Sequence, residues 1–416
     1  MNDSTKPVEA TARIPHNPAE ILGLKFFERH LPEMVKQLHA HCADPKRKLF
    51  YDQYLSLHLL SFYNPVLTSL RALQAATQVS TVMRKLEIPY ASLGSLSEAS
   101  HVFDPQLLGK IFEHLAGKLG DLDAQSLPKS LPRTLRLIAA DGSLWKTLPR
   151  MAKALYQQPL TRRPKCGLKG HFQFDVAKAA PVNVCFTEGD VDERGVLEKH
   201  LGAHMLYLID RGYQSAKLYA AIQAAECSFI GRIKEATGYQ ILKMRSLQPR
   251  DTAAGVYFDA EIQLGSHPGE EAKHRRVIKA RIVSPPPHNL HPQRHGGKYK
   301  AYSRTEPLVQ EWVLITDRLD LDADVIVSLY HHRWTVELFF RWFKCTLKCQ
   351  HLFCESENGM KIQFYAALIA SLLVLLYTGC KPNKRIWEIL QLHFGGWATW
   401  DDVEFYIAKY GKPAKV

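Results

Sequence analysis

The sequence predicts an α/β fold preceded by an all-helical front and interrupted by a β-rich insertion. Three observations predict it. From Ala19 to about Asp123, apolar residues recur at helical spacings of three and four. From Leu131, short apolar strands alternate with helices, the rhythm of a sheet with parallel elements. Between about Glu235 and Glu311 that rhythm gives way to short β-like pieces and a basic stretch, and then it resumes.

The elements follow in order. Residues 1–18 are polar with three prolines and read as a loose tail. Residues 19–125 form the helical front. Ile21, Leu22, Leu24, Phe26, Phe27 and Leu31 begin it, and Leu49, Phe50, Tyr54, Leu57, Leu59 and Leu60 continue it. SLRALQAATQV and PQLLGKIFEHLAGKL are further helices, separated by a break at GSLSEAS, with Ser97 as a cap for the second. A small helical unit in a basic protein suits DNA binding, although no clear recognition helix stands out. Residues 126–234 carry the first α/β part. LRLIAAD is a strand ending on Asp141, HFQFDVAKAAPVNVCFTEG alternates like a strand pair, HMLYLID ends on Asp210 ahead of a helix, and CSFIGRIK is another strand. Residues 235–311 are the insertion. Residues 312–380 resume with the strand EWVLITDRL, a long helix from about Ala323 to Leu347, and an apolar helix. Residues 381–416 close with a helical segment.

Composition narrows the function classes. The 416 residues contain 54 Lys and Arg against 41 Asp and Glu, a net charge of +13, which points to a polyanionic partner, nucleic acid first. At 46% hydrophobic residues the chain excludes a disordered or low-complexity class. Eight cysteines are too sparse for a disulfide scaffold. The first residues lack the apolar core of a secretory signal. The apolar run Ile362 to Tyr377 contains Gln363 and Ser371 and falls short of the ~20 residues of a membrane span, so it reads as a buried helix. A cytoplasmic protein with no membrane partner is expected. From Lys273 to Thr305 there are nine Lys or Arg and no Asp or Glu, with Tyr299 and Tyr302 among them. Such a block is either a flexible charged loop or a strand tracking a nucleic-acid backbone, with Lys298, Lys300 and Arg304 as the candidate phosphate contacts.

Chemistry concentrates on carboxylates. Asp141 and Asp210 each end a buried apolar strand, where α/β proteins place their sites. A carboxylate there is costly unless it is paired or binds a cation, and two together offer hard oxygen ligands suited to Mg²⁺ or Mn²⁺. A strand-end Asp is also an ordinary turn residue. In YHHRWTVELFFRWFK, residues 330–344, one continuous helix would project Tyr330, Arg333, Glu337 and Lys344 at about 0°, 300°, 340° and 320°, a single narrow stripe. That stripe is either a helical ion-pair ladder or a metal-binding Glu flanked by phosphate-holding groups.

The spacing Y-x2-R-x3-E-x6-K, with DGS at 141–143 and DRGY at 210–213, resembles the signature of the IS4 family of insertion-sequence transposases. The resemblance covers roughly residues 95 to 350. It implies a DDE-type catalytic core on an RNase H-like fold, with Asp141, Asp210 and Glu337 as the catalytic and metal-binding carboxylates. The segment 235–311 becomes the insertion that this family carries between the second Asp and the Glu. Two Mg²⁺ (or Mn²⁺) ions about 4 Å apart are implied, stabilising both ends of an in-line phosphodiester displacement. Tyr330, Arg333 and Lys344 would hold phosphates of the transposon end, and Arg211 and Tyr213 would support the DNA. The implied partners are double-stranded DNA, as terminal inverted repeats and target, and a second copy of the chain. A DNA-binding relative without cleavage, acting as a regulator, is the alternative.

Rival groups read as structural. The spacing of Cys345, Cys349, His351 and Cys354 is not a standard zinc pattern. Asp317 also follows an apolar strand but lies outside the family motif. Trp145, Trp334 and Trp342 read as packing residues.

Overall fold

In the computed structural model the described residues are 22, 24–41, 46–132, 134–147, 155–156, 165–264, 275–284, 294–295, 298–299, 308–354 and 356–411. They form two compact units. One comprises 1–124, 142–191 and 337–416, and the other 125–141 and 192–336.

The first unit opens with seven helices: α1 (Leu24–His30), α2 (Pro32–Ala40), α3 (Tyr51–Tyr63), α4 (Leu70–Ala76), α5 (Ser80–Leu86), α6 (Leu93–Val102) and α7 (Pro105–Lys118). The expected break at GSLSEAS is instead α6. Ser92 caps it by accepting from the Ser95 amide, and Ser97 lies inside the helix. Asp104 caps α7, where Pro105 takes the first helical position. The strand β1 (Arg136–Thr147) enters this unit at Gly142. It is followed by β2 (Leu155–Tyr156) and the antiparallel hairpin β3 (Lys165–Asp175) and β4 (Ala180–Glu188).

The second unit continues with α8 (Glu193–Lys199), β5 (Met205–Ile209), α9 (Ala216–Ala224), β6 (Ser228–Arg232), β7 (Tyr239–Met244), α10 (Pro249–Ala253), β8 (Val256–Leu264) and β9 (Arg275–Ser284). The short pair β10 (Arg294–His295) and β11 (Lys298–Tyr299), then β12 (Leu308–Thr316) and α11 (Ala323–His331), complete it. Its sheet runs β1, β5, β6, β12, β9, β8, β7. β1, β5 and β6 are mutually parallel, while β12 is antiparallel to both β6 and β9. Through β12, the strands of the expected insertion extend the same sheet. The parallel strands are buried on both faces, which is why they read as unbroken apolar runs. This mixed α/β sheet with a helical front is the fold class expected from the sequence.

The chain returns to the first unit with α12 (Trp334–Arg341), α13 (Glu357–Thr378), α14 (Lys384–Phe394) and α15 (Trp400–Tyr410). The helix α13 is apolar enough to cross a membrane, yet 89% of its most apolar stretch is buried. It packs against α7, α3 and α6, and Tyr63 donates to the Ala370 carbonyl at 2.8 Å. Ser356 caps its start, and Gly379, at φ +64°, ends it in the left-handed conformation that favours glycine.

Two departures from the sequence reading bear on function. β1 does not stop at Asp141 but continues to Thr147. Its partner β5 ends near Asp141, so the residue marks the end of parallel pairing rather than the end of the strand. The expected long helix 323–347 is also broken. At His332 and Arg333 the amides bond three residues back, to Leu329 and Tyr330, tightening the backbone into a turn. Trp342–Thr346 then widens into a π-helical turn. The single-stripe geometry therefore does not hold across this segment.

A buried histidine sets a pH limit on the helical front. His58 on α3 is 1% exposed, packed between Tyr54 and Phe353, and its ring nitrogens lack hydrogen-bond partners among the described residues. Burial lowers its pKa from 6.5 to about 4. A base with a depressed folded pKa stabilises the fold fully above its unfolded value and loses that contribution as pH falls toward the folded one. Stability should therefore drop by up to about 3 kcal/mol between pH 6.5 and about 4. Urea unfolding at pH 7.5 and 4.5 checks this, because His58→Leu should flatten the difference.

Candidate active site

The site in the second unit is built by strand register. β1 and β5 pair in parallel with Ala139 opposite Leu208, so two residues further on Asp141 stands level with Asp210. β5 and β6 pair with Ile209 opposite Gly231, so one residue further on Asp210 stands level with Arg232. Three adjacent parallel strands thus bring an Asp, an Asp and an Arg to one edge of the sheet. Parallel strands have staggered hydrogen bonds and a common direction, so their carboxyl ends collect such groups.

Asp210 begins a short 3₁₀ turn over Arg211–Tyr213 and accepts from the Gly212 amide at 2.7 Å, which fixes its carboxylate. Asp141, whose side chain is 18% exposed, faces the Arg333 guanidinium at 3.7 Å. Tyr213 is buried, and both aspartates act electrostatically on it. Burial, then the charge of Glu193, then those of Asp141 and Asp210, push its pKa well up, and it hydrogen-bonds the Glu193 side chain. The phenol therefore stays protonated.

Arg232 is the residue that sequence reasoning missed. Its guanidinium is half-buried, donates from Nη2 to the Glu311 carbonyl at 3.3 Å, and leaves Nε buried without a hydrogen-bond partner among the described residues. Burial lowers its pKa, and the charges of Arg211 and Arg333 add to that, while Tyr330 and Asp210 oppose it. An arginine stays charged regardless. The result is three neighbouring guanidinium groups beside a carboxylate, a concentration of positive charge that favours an anion. The available signal was position: Arg232 ends the apolar strand SFIGR just as Asp210 ends MLYLI.

The remaining predicted residues are placed as follows. Tyr330 is 2% exposed, and its hydroxyl donates to the Ile209 carbonyl at 3.3 Å. Burial raises its pKa, and Trp312 packs edge-on against its ring. The ring fills the sheet face, so the phenol is not displayed as a phosphate contact, contrary to expectation. Tyr213, on its 3₁₀ turn, is likewise buried. Arg333 and Arg211 remain at the site, Arg211 exposed on its turn.

In the first unit, Glu337 lies in the first turn of α12, partly exposed. Lys344 donates to the Leu144 carbonyl at 3.2 Å with its ammonium 4.7 Å from the Trp145 ring centre, and burial lowers its pKa. Trp145 packs as expected, against Phe364 at 4.7 Å, whereas Trp334 is 55% exposed.

The basic block divides. Lys300 and Arg304 lie outside the described residues, and Lys298 is described only as part of the short strand β11. Arg275 and Arg276 are buried in the sheet rather than solvated. Arg276 is chelated by Asp259, and Lys279 and Arg281 lie over the rings of Phe258 and Tyr257. These four charges serve the sheet.

Asp317 is structural, as expected. It accepts from the Phe229 amide at 3.0 Å and stays buried, which raises its pKa. Among the described residues no group of three His, Cys, Asp or Glu side chains could hold a metal ion, so Cys345, Cys349, His351 and Cys354 form no such centre. For divalent cations the second unit offers the hard oxygens of Asp141 and Asp210.

Comparison with known proteins bears on this geometry. The chain is 25% identical over 224 residues to a probable transposase for insertion sequence element IS5377 from Geobacillus stearothermophilus, covering 53% of this chain and 52% of that protein. It is 25% identical over 229 residues to the putative transposase y4zB of Sinorhizobium fredii, covering 54% and 57%. The chain spans about half the length of these curated relatives. A shorter match, 37% identical over 51 residues and covering 12% and 15%, is to a putative transposase for insertion sequence element IS4SA from Synechocystis. Among solved structures, the piggyBac transposase synaptic complex with hairpin DNA aligns at a TM-score of 0.45 with 11% identity, covering 97% of this chain and 87% of that one. The family model of the transposase DDE domain matches residues 132–373, which include all three predicted carboxylates. The chain belongs to the DDE-domain transposases.

Proposed function

We propose that the chain is the DNA transposase of an insertion sequence, which binds terminal inverted repeats, cleaves DNA and joins the freed ends to target DNA. Asp141, Asp210 and Glu337 are its catalytic carboxylates. The observation that carries this reading is the register that sets Asp141 level with Asp210 in a chain of the DDE family. These oxygens would hold two Mg²⁺ or Mn²⁺ ions, which would activate the attacking oxygen and stabilise the leaving one.

The chain's own residues do the rest. Arg333, Arg232 and Arg211 bind phosphates flanking the scissile bond, where charge-assisted hydrogen bonds are strongest. The Asp141–Arg333 pair holds the guanidinium ready until a phosphate competes for it. Tyr330 and Tyr213 act as positioning residues, bracing the strand ends beneath the carboxylates. Lys344 adds a further phosphate-binding cation, and Lys298, Lys300 and Arg304 extend phosphate binding along the duplex. A homodimer joining two ends, working in the cytoplasm, completes the proposal, and the +13 charge supports a DNA partner.

Mg²⁺-dependent nicking of duplexes carrying the element's terminal repeats tests the reading. Wild type should nick them. Binding without nicking, unchanged by Asp141→Ala, Asp210→Ala or Glu337→Ala, identifies a regulator instead. A second expectation concerns Arg232. Arg232→Ala should weaken DNA binding and flatten the salt dependence by about 0.9 in log–log slope, the share of one phosphate contact. Arg232→Lys should restore most of the slope, and anisotropy titrations over a salt series measure it.

A further inference from the structure

The helical front carries a basic cleft of about 420 Å³, lined by Lys46, Arg47, Lys48, Tyr90, Ser92 and Ser95. Glu98, also in the lining, is its single acid among the described residues. The cleft brings together three consecutive cations and the first turn of the ten-residue helix α6.

Arg47 is the fixed element. Only 15% of its side chain is exposed, and its guanidinium lies over the Phe103 ring at 5.3 Å. Nη2 approaches Glu98 at 3.9 Å, too far for a firm hydrogen bond, and Nε is buried with no hydrogen-bond partner among the described residues. An arginine held by an aromatic face loses little freedom when it meets an anion. Lys46 and Lys48 are exposed on either side of it. The hydroxyls of Ser92 and Ser95 lie 3.0 Å apart at the start of α6, whose dipole favours negative charge. The lining is mostly polar and open, unlike an apolar small-molecule site.

We propose that this cleft binds a backbone phosphate of duplex DNA, giving the helical front a phosphate contact of its own, separate from the carboxylate site. The inference rests on the reading of the chain as a DNA-binding transposase. No base edge is read there, so the contact sets position and affinity rather than sequence.

The test uses the full chain and a 40-base-pair duplex of arbitrary sequence. Lys46→Gln with Lys48→Gln, both at exposed positions, should lower the log–log salt slope by about 0.9, the share of the one phosphate the cleft holds, and weaken binding equally for any sequence. Replacing both by Arg should restore the slope. Glu98→Gln, which removes an acid of the lining, should tighten binding, an effect that general destabilisation would not produce. An unchanged slope in the double variant, with wild type binding DNA normally, overturns the cleft alone. Wild type that fails to bind any duplex overturns the functional reading and the cleft with it. A second arm measures thermal stabilisation by inorganic phosphate. If phosphate stabilises wild type but not the double variant while the DNA slopes stay equal, the cleft takes a free anion and the DNA assignment is wrong.

Discussion

Asp141→Asn is expected to lower Mg²⁺-dependent nicking by more than about 100-fold while DNA binding stays equal or tightens. Replacing groups that merely support a metal ligand commonly costs 10–100-fold, and a direct carboxylate ligand should cost more. Asn keeps the size and one oxygen, so the strand β1 has no reason to shift. What changes is charge. Asp141 stands beside Arg333 at 3.7 Å, and with the carboxylate gone that guanidinium is released toward phosphate. A mutation that abolishes cutting and does not weaken binding separates chemistry from folding. Asp210→Asn should behave alike in cutting, since it occupies the same level of the neighbouring strand. Asp210 also caps its 3₁₀ turn through the Gly212 amide at 2.7 Å, a role that the Asn oxygen retains. Nicking assays and anisotropy on the same preparations measure both quantities. A variant that nicks at wild-type rate removes Asp141 from the mechanism.

Much of this site was legible because its physics is local. Parallel strands buried on both faces must be written as continuous apolar runs, so LRLIAA and MLYLI stand out. A carboxylate that closes such a run is conspicuous because nothing in the run offsets its desolvation. The YREK spacing was legible as pattern but not as geometry. The angular argument assumed a continuous helix, whereas bonds to residues three back turn the chain at His332 and Arg333. Burial of Tyr330 follows from the ring of Trp312 and the carbonyl of Ile209, partners distant in sequence that no local rule supplies. The same holds for Arg232. A cation at a strand end looks like any surface arginine until parallel register sets it beside Asp210. Arg275 and Arg276 in the basic block were misread for the converse reason. Counting charge over a segment treats every cation as solvated, while Asp259, 17 residues before Arg276, draws one of them into the sheet.

That buried pair yields the second large expectation. Arg276 on β9 donates from Nε and Nη2 to the two oxygens of Asp259 on β8 at 2.7 and 2.6 Å, and both side chains are almost fully buried. From Nη1 it also reaches the carbonyls of Leu321 and Arg318, in the segment leading from β12 into α11. One guanidinium therefore ties the outer strands to the helix that carries Tyr330. Removing one partner strands the other charge where water cannot reach it, and such breaks cost about 3–5 kcal/mol. Asp259→Leu and Arg276→Met should each destabilise the second unit by that amount. Arg245, 3.9 Å from Asp259, is already engaged with Glu261 at 3.2 Å and offers weak compensation. The double variant should recover much of the loss, because a buried ion pair replaced by apolar groups is often neutral. Recovery of stability need not recover function. The double variant still lacks the bonds to the Leu321 and Arg318 carbonyls, so α11 is less firmly held, and cutting should fall even where stability returns. Hydrogen exchange of the β8 and β9 amides reads the local stability of this part of the sheet. Single variants within about 1 kcal/mol of wild type in that exchange would show that the pair does not hold the sheet.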